Sequence, residues 1–448
     1  MTKTATTSGD AATSPRKSDS MIVVASSSLA GTTVEWYDFF LYGTASALVF
    51  NRLFFPGDDL FVSTMLAFGT FAAGFIARPL GAIVLGYLGD RKGRKATLIT
   101  TLLLMGAVTA LIALIPPYAQ IGVWAPILLL VCRLCQGFAL GGEWSGAVLL
   151  VSEHGNESRW RAFWSAFPNM GPPLGNLLAA GVLALLSATL SPDDFLAWGW
   201  RIAFGLSAIL VLVGLILRLY VHETPLFEAA QARAEASDDK RARGGMGQLL
   251  KLNWKELLIA TGTRMGENAG FYIYSLFLIT YATEFVHVDR PTALGAVMIG
   301  QGVAVVLIPA FAFLADKVGR KPILYAATLA TIVFAFAFFW LLDQGTFASI
   351  ATAAIGGLTI FAAYSAVIGA FYSELFPTNV RYLGTSVAYN AASLIAGGLS
   401  PIIALALYQQ FGTGTAIAAY LAGMGVISLV SIFFAKETKG ITLSELDA

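Results

Sequence analysis

Apolar runs long enough to cross a bilayer recur twelve times along this chain, separated by short polar segments. A hydrocarbon core about 30 Å thick takes roughly 20 residues of helix. In that solvent every backbone N–H and C=O has to be satisfied within the chain, which leaves helices or closed barrels. Runs of this length read as helices. The spans read as 22–50, 61–88, 96–116, 125–151, 161–187 and 199–220, then 256–285, 293–315, 322–342, 347–374, 382–408 and 414–435. The expected fold class is an all-α membrane protein with twelve transmembrane helices in two six-helix halves. Composition agrees, with 57% hydrophobic and 12% charged residues, where a soluble domain carries about 25% charged.

The predicted organisation has a cytoplasmic tail at 1–21, a first bundle at 22–220, a linker at 221–255, a second bundle at 256–435 and a second tail at 436–448. The linker is polar and reads as an amphipathic cytoplasmic connector. The run after the first tail is too long for a signal-peptide core. Of the 28 Lys and Arg residues, twenty-two fall in segments or helix ends that are cytoplasmic if the N-terminus is inside. Three fall at the outer side (Arg52, Arg201, Arg290) and three within spans (Arg78, Arg133, Arg264). Lys and Arg concentrate on the cytoplasmic side of membrane proteins, so both termini are expected inside.

The halves repeat. "GYLGDRKGRKATL" follows the second span and "AFLADKVGRKPIL" the eighth, with Asp90 and Asp316, and Arg94 and Arg320, each 226 residues apart. Glu153 with Arg159 and Arg161 is echoed by Glu374 with Arg381, and "HETP" by "KETKG". Three motifs in the same order imply an internal duplication, an arrangement that places transport sites between repeats.

On "GYLGDRKGRK" and its weaker copy, the chain resembles the major facilitator superfamily over nearly its whole length. Within it, "VEWYDFFLYG", "ARPLGA", "RLCQGFALGGEW" and "WGWR" resemble the metabolite:proton symporter family. The resemblance implies a cell (plasma or inner) membrane protein, functioning as a monomer, that imports shikimate, α-ketoglutarate, citrate or a proline- or betaine-like zwitterion with protons. It implies no cofactor beyond the proton gradient. Osmosensing members carry a long C-terminal coiled coil. The chain runs only about a dozen residues past the last span, which weighs against that reading. The resemblance also implies a charge network of Asp90 and Arg94 with Glu153, mirrored by Asp316 and Arg320 with Glu374. Asp90, Arg91, Gly93, Arg94, Glu153, Arg161, Asp316, Gly319, Arg320, Glu374 and Arg381 are the expected gating residues.

The candidate chemistry lies in the spans, where ionisable groups are costly and functional by default. Glu35 and Asp38 are three residues apart, with Tyr42 four further on, so all three share one helix face. That face is expected to line the central cavity. Paired carboxyls removed from water take up a proton and release it when access changes, and either Glu35 or Asp38 suits proton coupling. The expected substrate-binding residues are Arg133, Tyr42, Arg78, Glu143, Glu267 and Tyr272. Arg133 has two expected roles, pairing with Glu35 or Asp38 and gripping a substrate carboxylate through its guanidinium fork. Arg78 is expected in the cavity or paired with Glu143, and Arg264 paired with Glu267. Of Tyr272 and Tyr274 only one can face a given side.

Other signals are declined. Cys132 and Cys135 have a redox spacing but lie within a span, and the three histidines fall at span ends. No nucleotide-binding fingerprint or catalytic triad is present, and a net charge of +1 gives no field for nucleic acid. The chain is therefore expected not to be an enzyme. Its expected partners are a small solute, protons and the lipid bilayer. A solute sensor that does not transport and an efflux antiporter are the competing readings, and the paired motifs count against the sensor.

Overall fold

The computed structural model describes residues 20–57, 60–236 and 245–447. Most of the first predicted tail, the middle of the linker and Ala448 lie outside the described residues.

The described residues form twelve long helices. In the first half these are α1 (Met21–Ala45, continued by a π-helical turn at Ser46–Phe50), α2 (Leu60–Lys92), α3 (Arg94–Leu114), α4 (Trp124–His154), α5 (Arg161–Thr189) and α6 (Pro192–Tyr220). In the second half α7 occupies 254–285 in several pieces, followed by α8 (Arg290–Val318), α9 (Arg320–Asp343), α10 (Phe347–Ser373), α11 (Arg381–Phe411) and α12 (Gly414–Phe434). Among the described residues ten helices are by themselves long and apolar enough to cross a membrane; α1 and α7 are not among them. These two open their respective halves, and each carries two ionisable groups inside its span. Two shorter helices, Pro225–Ala236 and Met246–Leu252, lie in the linker.

Helix boundaries follow local chemistry. Asp289, Thr346 and Thr413 cap α8, α10 and α12 by accepting from the N–H groups of Thr292, Ser349 and Thr415. A side-chain oxygen at that position satisfies an otherwise orphaned donor. α3 and α9 begin differently. Gly93 and Gly319 precede them at φ +103° and +109°, a conformation open to glycine at little cost. Neither glycine supplies a side-chain cap. Both glycines lie at one end of the molecule, the motif face.

Packing repeats between the halves. α2 lies on α4 as α8 lies on α10, α3 on α6 as α9 on α12, and α1 on α5. The α2–α4 contact is backbone on backbone. A Cβ built on Gly137 would lie 2.0 Å from the Gly74 carbonyl oxygen, and one on Gly81 1.9 Å from that of Phe138. Apolar burial drives little association between helices in lipid, so small residues that let backbones approach carry the packing. Large apolar side chains such as Ile76, Leu114, Val333 and Phe433 point outward and are well exposed, as a lipid-facing surface requires. The halves meet chiefly through α2 against α11 and α5 against α8.

Candidate functional site

A cavity with about 410 Å³ of open space lies between the halves, near mid-depth. Its floor, toward the motif face, is built from both halves. Trp144 of α4 stacks on Tyr389 of α11 with ring centroids 3.9 Å apart. The Trp144 indole donates to Asn169 Oδ1 (2.6 Å), and Asn169 in turn donates to the Ser365 carbonyl (2.7 Å). One wall is α7. Arg264 pairs with Glu267 at 3.0 Å, donates to Ser393 Oγ at 2.6 Å and to the Tyr389 carbonyl at 3.0 Å, and lies 3.5 Å from the Tyr389 ring centroid. Arg78 of α2 faces this wall. Its guanidinium sits 5.3–5.7 Å from the ring centroids of Phe75, Phe39 and Trp36. Its Nε and Nη1 have no hydrogen-bond partner, although the residue is 3% exposed. Trp36 with Phe271, and Phe75 with Tyr272, close the opposite side by edge contacts.

At the motif face the halves are held by two matching charge clusters. Arg94 forks onto Glu153 (3.2 and 3.0 Å) and Arg320 onto Glu374 (3.2 and 2.9 Å). Each glutamate also takes an arginine from the opposite half, Arg381 on Glu153 (3.2 Å) and Arg161 on Glu374 (2.9 Å). Asp90 accepts from the N–H groups of Tyr382 and Leu383 at the start of α11, and Asp316 from those of Ala162 and Phe163 at the start of α5. A carboxylate at a helix N-terminus is stabilised by its N–H groups and dipole. Residues from the C-terminal segment cross this seam: Arg161 donates to the Ile441 carbonyl, Arg381 to that of Leu443, and the Leu443 N–H to Asn156.

A family profile for the Major Facilitator Superfamily matches residues 31–389. The chain belongs to this superfamily. It is 39% identical over 433 residues to the inner membrane metabolite transport protein YhjE of Escherichia coli (strain K12), covering 95% of this chain and 96% of that protein. It is 37% identical over 418 residues to the shikimate transporter of the same strain, covering 92% and 94%. Its fold matches that of the proton:xylose symporter XylE bound to 6-bromo-6-deoxy-D-glucose, with a TM-score of 0.76 at 19% identity over 95% of this chain and 98% of that one. The protein is a multi-pass membrane transporter and not an enzyme.

Within this superfamily member, several expected site residues stand elsewhere than the sequence suggested. Arg78, Glu267 and Tyr272 line the cavity, whereas Arg133, Tyr42 and Glu143 are outside its lining. Glu35, Asp38 and Tyr42 do share one face of α1, but it turns into the first half, toward α2, α3, α4 and α6. The adjacent face, carrying Trp36, meets the cavity. Glu143 does not pair with Arg78. It pairs with Arg218 of α6 at 3.0 Å, and Glu35 lies 3.7 Å from the same guanidinium. Arg218 sits near the end of a span, where a long cationic side chain commonly reaches for the surface, yet it is 2% exposed. Arg133 donates to Gln136 (3.0 Å), Gln136 to Thr109 (2.8 Å) and Thr109 to Asp38 (2.8 Å), a relay in place of direct pairing. The Arg133 guanidinium also lies 4.5 Å from the Tyr42 ring centroid, and the Tyr42 hydroxyl hydrogen-bonds Thr70.

At the seam, Arg91 is outside the cluster, exposed and stacked on Tyr87. The repeated glutamate–arginine motifs are exchanged between the halves rather than paired within them. The echo "HETP"/"KETKG", given no role from sequence, supplies the missing caps. Glu223 accepts from Lys95 N–H (3.1 Å), and Glu437 from Arg320 and Lys321 N–H (2.9 and 3.0 Å), at the starts of α3 and α9. The threonines beside them, Thr224 and Thr438, each donate to a seam glutamate at 2.5 Å.

Proposed function

We propose that this transporter is a proton symporter that imports a small organic acid by alternating access, with both termini and the motif face in the cytoplasm. The observation that carries the substrate class is Arg78. It is a buried guanidinium at the cavity between the halves, with two donor groups unused, while the other cavity arginine is already neutralised by Glu267. A buried charge without a partner is costly, and a monocarboxylate would both neutralise it and complete its donors in the fork geometry that arginine favours. The Trp144–Tyr389 stack offers the body of such a solute a flat apolar surface. The carboxyls of α1, Glu35 and Asp38, supply proton coupling from within the first half. The seam residues Asp90, Gly93, Arg94, Glu153, Arg161, Asp316, Gly319, Arg320, Glu374 and Arg381 hold the cytoplasmic side shut while the cavity loads from outside. The lysine and arginine bias toward the motif face supports the orientation.

Coupling fixes the electrical signature. A positive charge moving through 100 mV gains about 2.3 kcal/mol, enough for roughly 50-fold accumulation, since 1.4 kcal/mol is tenfold. A zwitterion entering with one proton draws on that term; a monoanion entering with one proton is electroneutral and draws on the pH gradient alone. The test is uptake into proteoliposomes under an imposed inward proton gradient, comparing shikimate, α-ketoglutarate, citrate, proline and betaine. The expected result is accumulation of a monocarboxylate that an imposed membrane potential does not change. Potential-driven uptake of betaine or proline instead would establish a zwitterion carrier, and no gradient-driven uptake of any of the five would overturn symport.

A further inference from the structure

We propose that Glu35 and Glu143 share one exchangeable proton beneath Arg218, and that Tyr382, a residue of the second half, is the plug that seals this pair from the motif face. The first part is a matter of charge. Glu35 (1% exposed), Glu143 (1%) and Arg218 (2%) are enclosed together among α1, α4 and α6. Two carboxylates against one guanidinium leave a negative charge in excess. Arg218 is committed elsewhere: its Nη2 donates to Glu143 at 3.0 Å and its Nη1 to the Leu98 carbonyl at 2.6 Å. Thr32 gives its hydroxyl to the same Glu143 oxygen. Both Glu35 oxygens remain without any donor. One proton on this pair removes the excess charge and supplies the missing hydrogen bond between two carboxyls that face each other. The other groups facing the pair are Asp38 on α1 itself and the Tyr382 phenol from α11.

The second part is a matter of shape. Tyr382 is fully buried, in the half to which it does not belong. Its hydroxyl donates to the carbonyl of Gly142, the residue before Glu143, at 2.8 Å. Its ring occupies a slot that exists because α2 and α4 carry glycine there. A Cβ on Gly89 would fall 2.2 Å from the ring, and one on Gly146 2.3 Å from the hydroxyl. Asp90 anchors the Tyr382 N–H at the slot mouth, beside Arg94.

The duplicated half provides an internal control. Asp316 does for α5 what Asp90 does for α11, so Ala162 stands where Tyr382 stands. Counting back from Glu153 and Glu374 alike, Glu143 corresponds to Tyr364 and Gly146 to Val367, and Gly89 corresponds to Ala315. The half that lacks the acidic pair lacks both the plug and the slot. When the halves part at the motif face, Tyr382 withdraws with α11 and opens a path between α2 and α4 to Glu143. The proton then has an aqueous exit only in the state that is open on that side.

The test is carbodiimide modification of the full chain in liposomes, read at each carboxyl by mass spectrometry. Lipid-soluble dicyclohexylcarbodiimide attacks a protonated carboxyl. It should modify Glu35 or Glu143 in the unaltered protein, never both in one molecule. Glu143→Gln should lower modification at Glu35 at least tenfold, because Arg218 then serves Glu35 alone. A water-soluble carbodiimide should modify the pair at least tenfold more in Tyr382→Ala than in the unaltered protein. Gly146→Ala, which displaces the hydroxyl without removing the ring, should give a gain of the same sign if Tyr382→Ala fails to fold. No lipid-soluble modification at either glutamate would overturn the shared proton. Equal water-soluble modification with and without the plug would overturn the seal. Neither readout needs a transported solute, so these outcomes are separate from the gradient-driven uptake on which the symport reading stands.

Discussion

Arg78 lines the cavity beside three aromatic rings, and its Nε and Nη1 are without a hydrogen-bond partner. Lysine at this position keeps the charge but presents no fork and does not stack in the same way. Arg78→Lys is therefore expected to raise the KM for the accumulated acid about tenfold, the worth of roughly one charge-assisted hydrogen bond, with turnover changed far less. Initial-rate uptake in proteoliposomes separates the two. The sequence pointed to Arg78, Glu35, Asp38 and Arg133 as functional because ionisable groups in a membrane helix demand a reason. It did not reveal their partners. Helical periodicity shows which residues share a face, and Glu35, Asp38 and Tyr42 do. It does not show whether that face meets the interface between halves or the interior of one half. Arg218 escaped for a related reason: a cation near a span end ordinarily reaches for the surface, and only the position of Glu143 across the bundle shows that this one turns inward.

α3 and α9 borrow their caps from segments more than a hundred residues later, and the two loans differ in their response to acid. Burial pushes the Glu223 carboxyl up, against the pull of backbone N–H groups from Thr224, Lys95 and Arg94. Burial also opposes the charge on Glu437, yet N–H groups from Arg320, Lys439, Lys321 and Thr438 hold its carboxyl below the ordinary range. A lowered carboxyl contributes stability above its unfolded value, about 4.3 for glutamate, and loses it as the pH falls through the folded value. A raised one disfavours the ionised folded state, and that cost disappears as the pH falls. Glu437→Gln is thus expected to lower the thermal midpoint at pH 7 by about 2 °C, the gap closing below about pH 4. Glu223→Gln should show no loss at pH 7. Thermal unfolding in detergent across this range checks both. The spans were legible from apolar run length, least plainly for α1 and α7, where ionisable groups interrupt it, and these caps were visible only as an echo, "HETP" and "KETKG". A capping carboxylate normally lies within its own helix turn, and no local rule reaches from Glu223 back to Lys95 or from Glu437 back to Arg320.

At the scale of the molecule, the seam at the motif face joins the two halves and is the proposed gate. Asp90 accepts from the second and third N–H groups of α11, one on each carboxyl oxygen. Asp90→Asn keeps the shape and loses the charge, weakening the shut state by about 1–2 kcal/mol. The expected outcome is solute affinity within a few-fold of normal and turnover lowered tenfold or more, read from binding and exchange measurements on the same preparation. Loss of affinity with intact turnover would contradict a gating role. The duplication made this seam legible in outline, because Asp90 and Asp316 announce two copies of one device. The exchange of Arg161 and Arg381 between copies was not legible, since each arginine lies close in sequence to the glutamate it does not bind. The last links over the seam come from Ile441 and Leu443, which accept from Arg161 and Arg381. These residues leave the ribosome after all twelve spans. Until they arrive, the halves are joined at this seam through the pairs of Arg161 with Glu374 and Arg381 with Glu153, so a newly made transporter closes its door before the last bolts are in place.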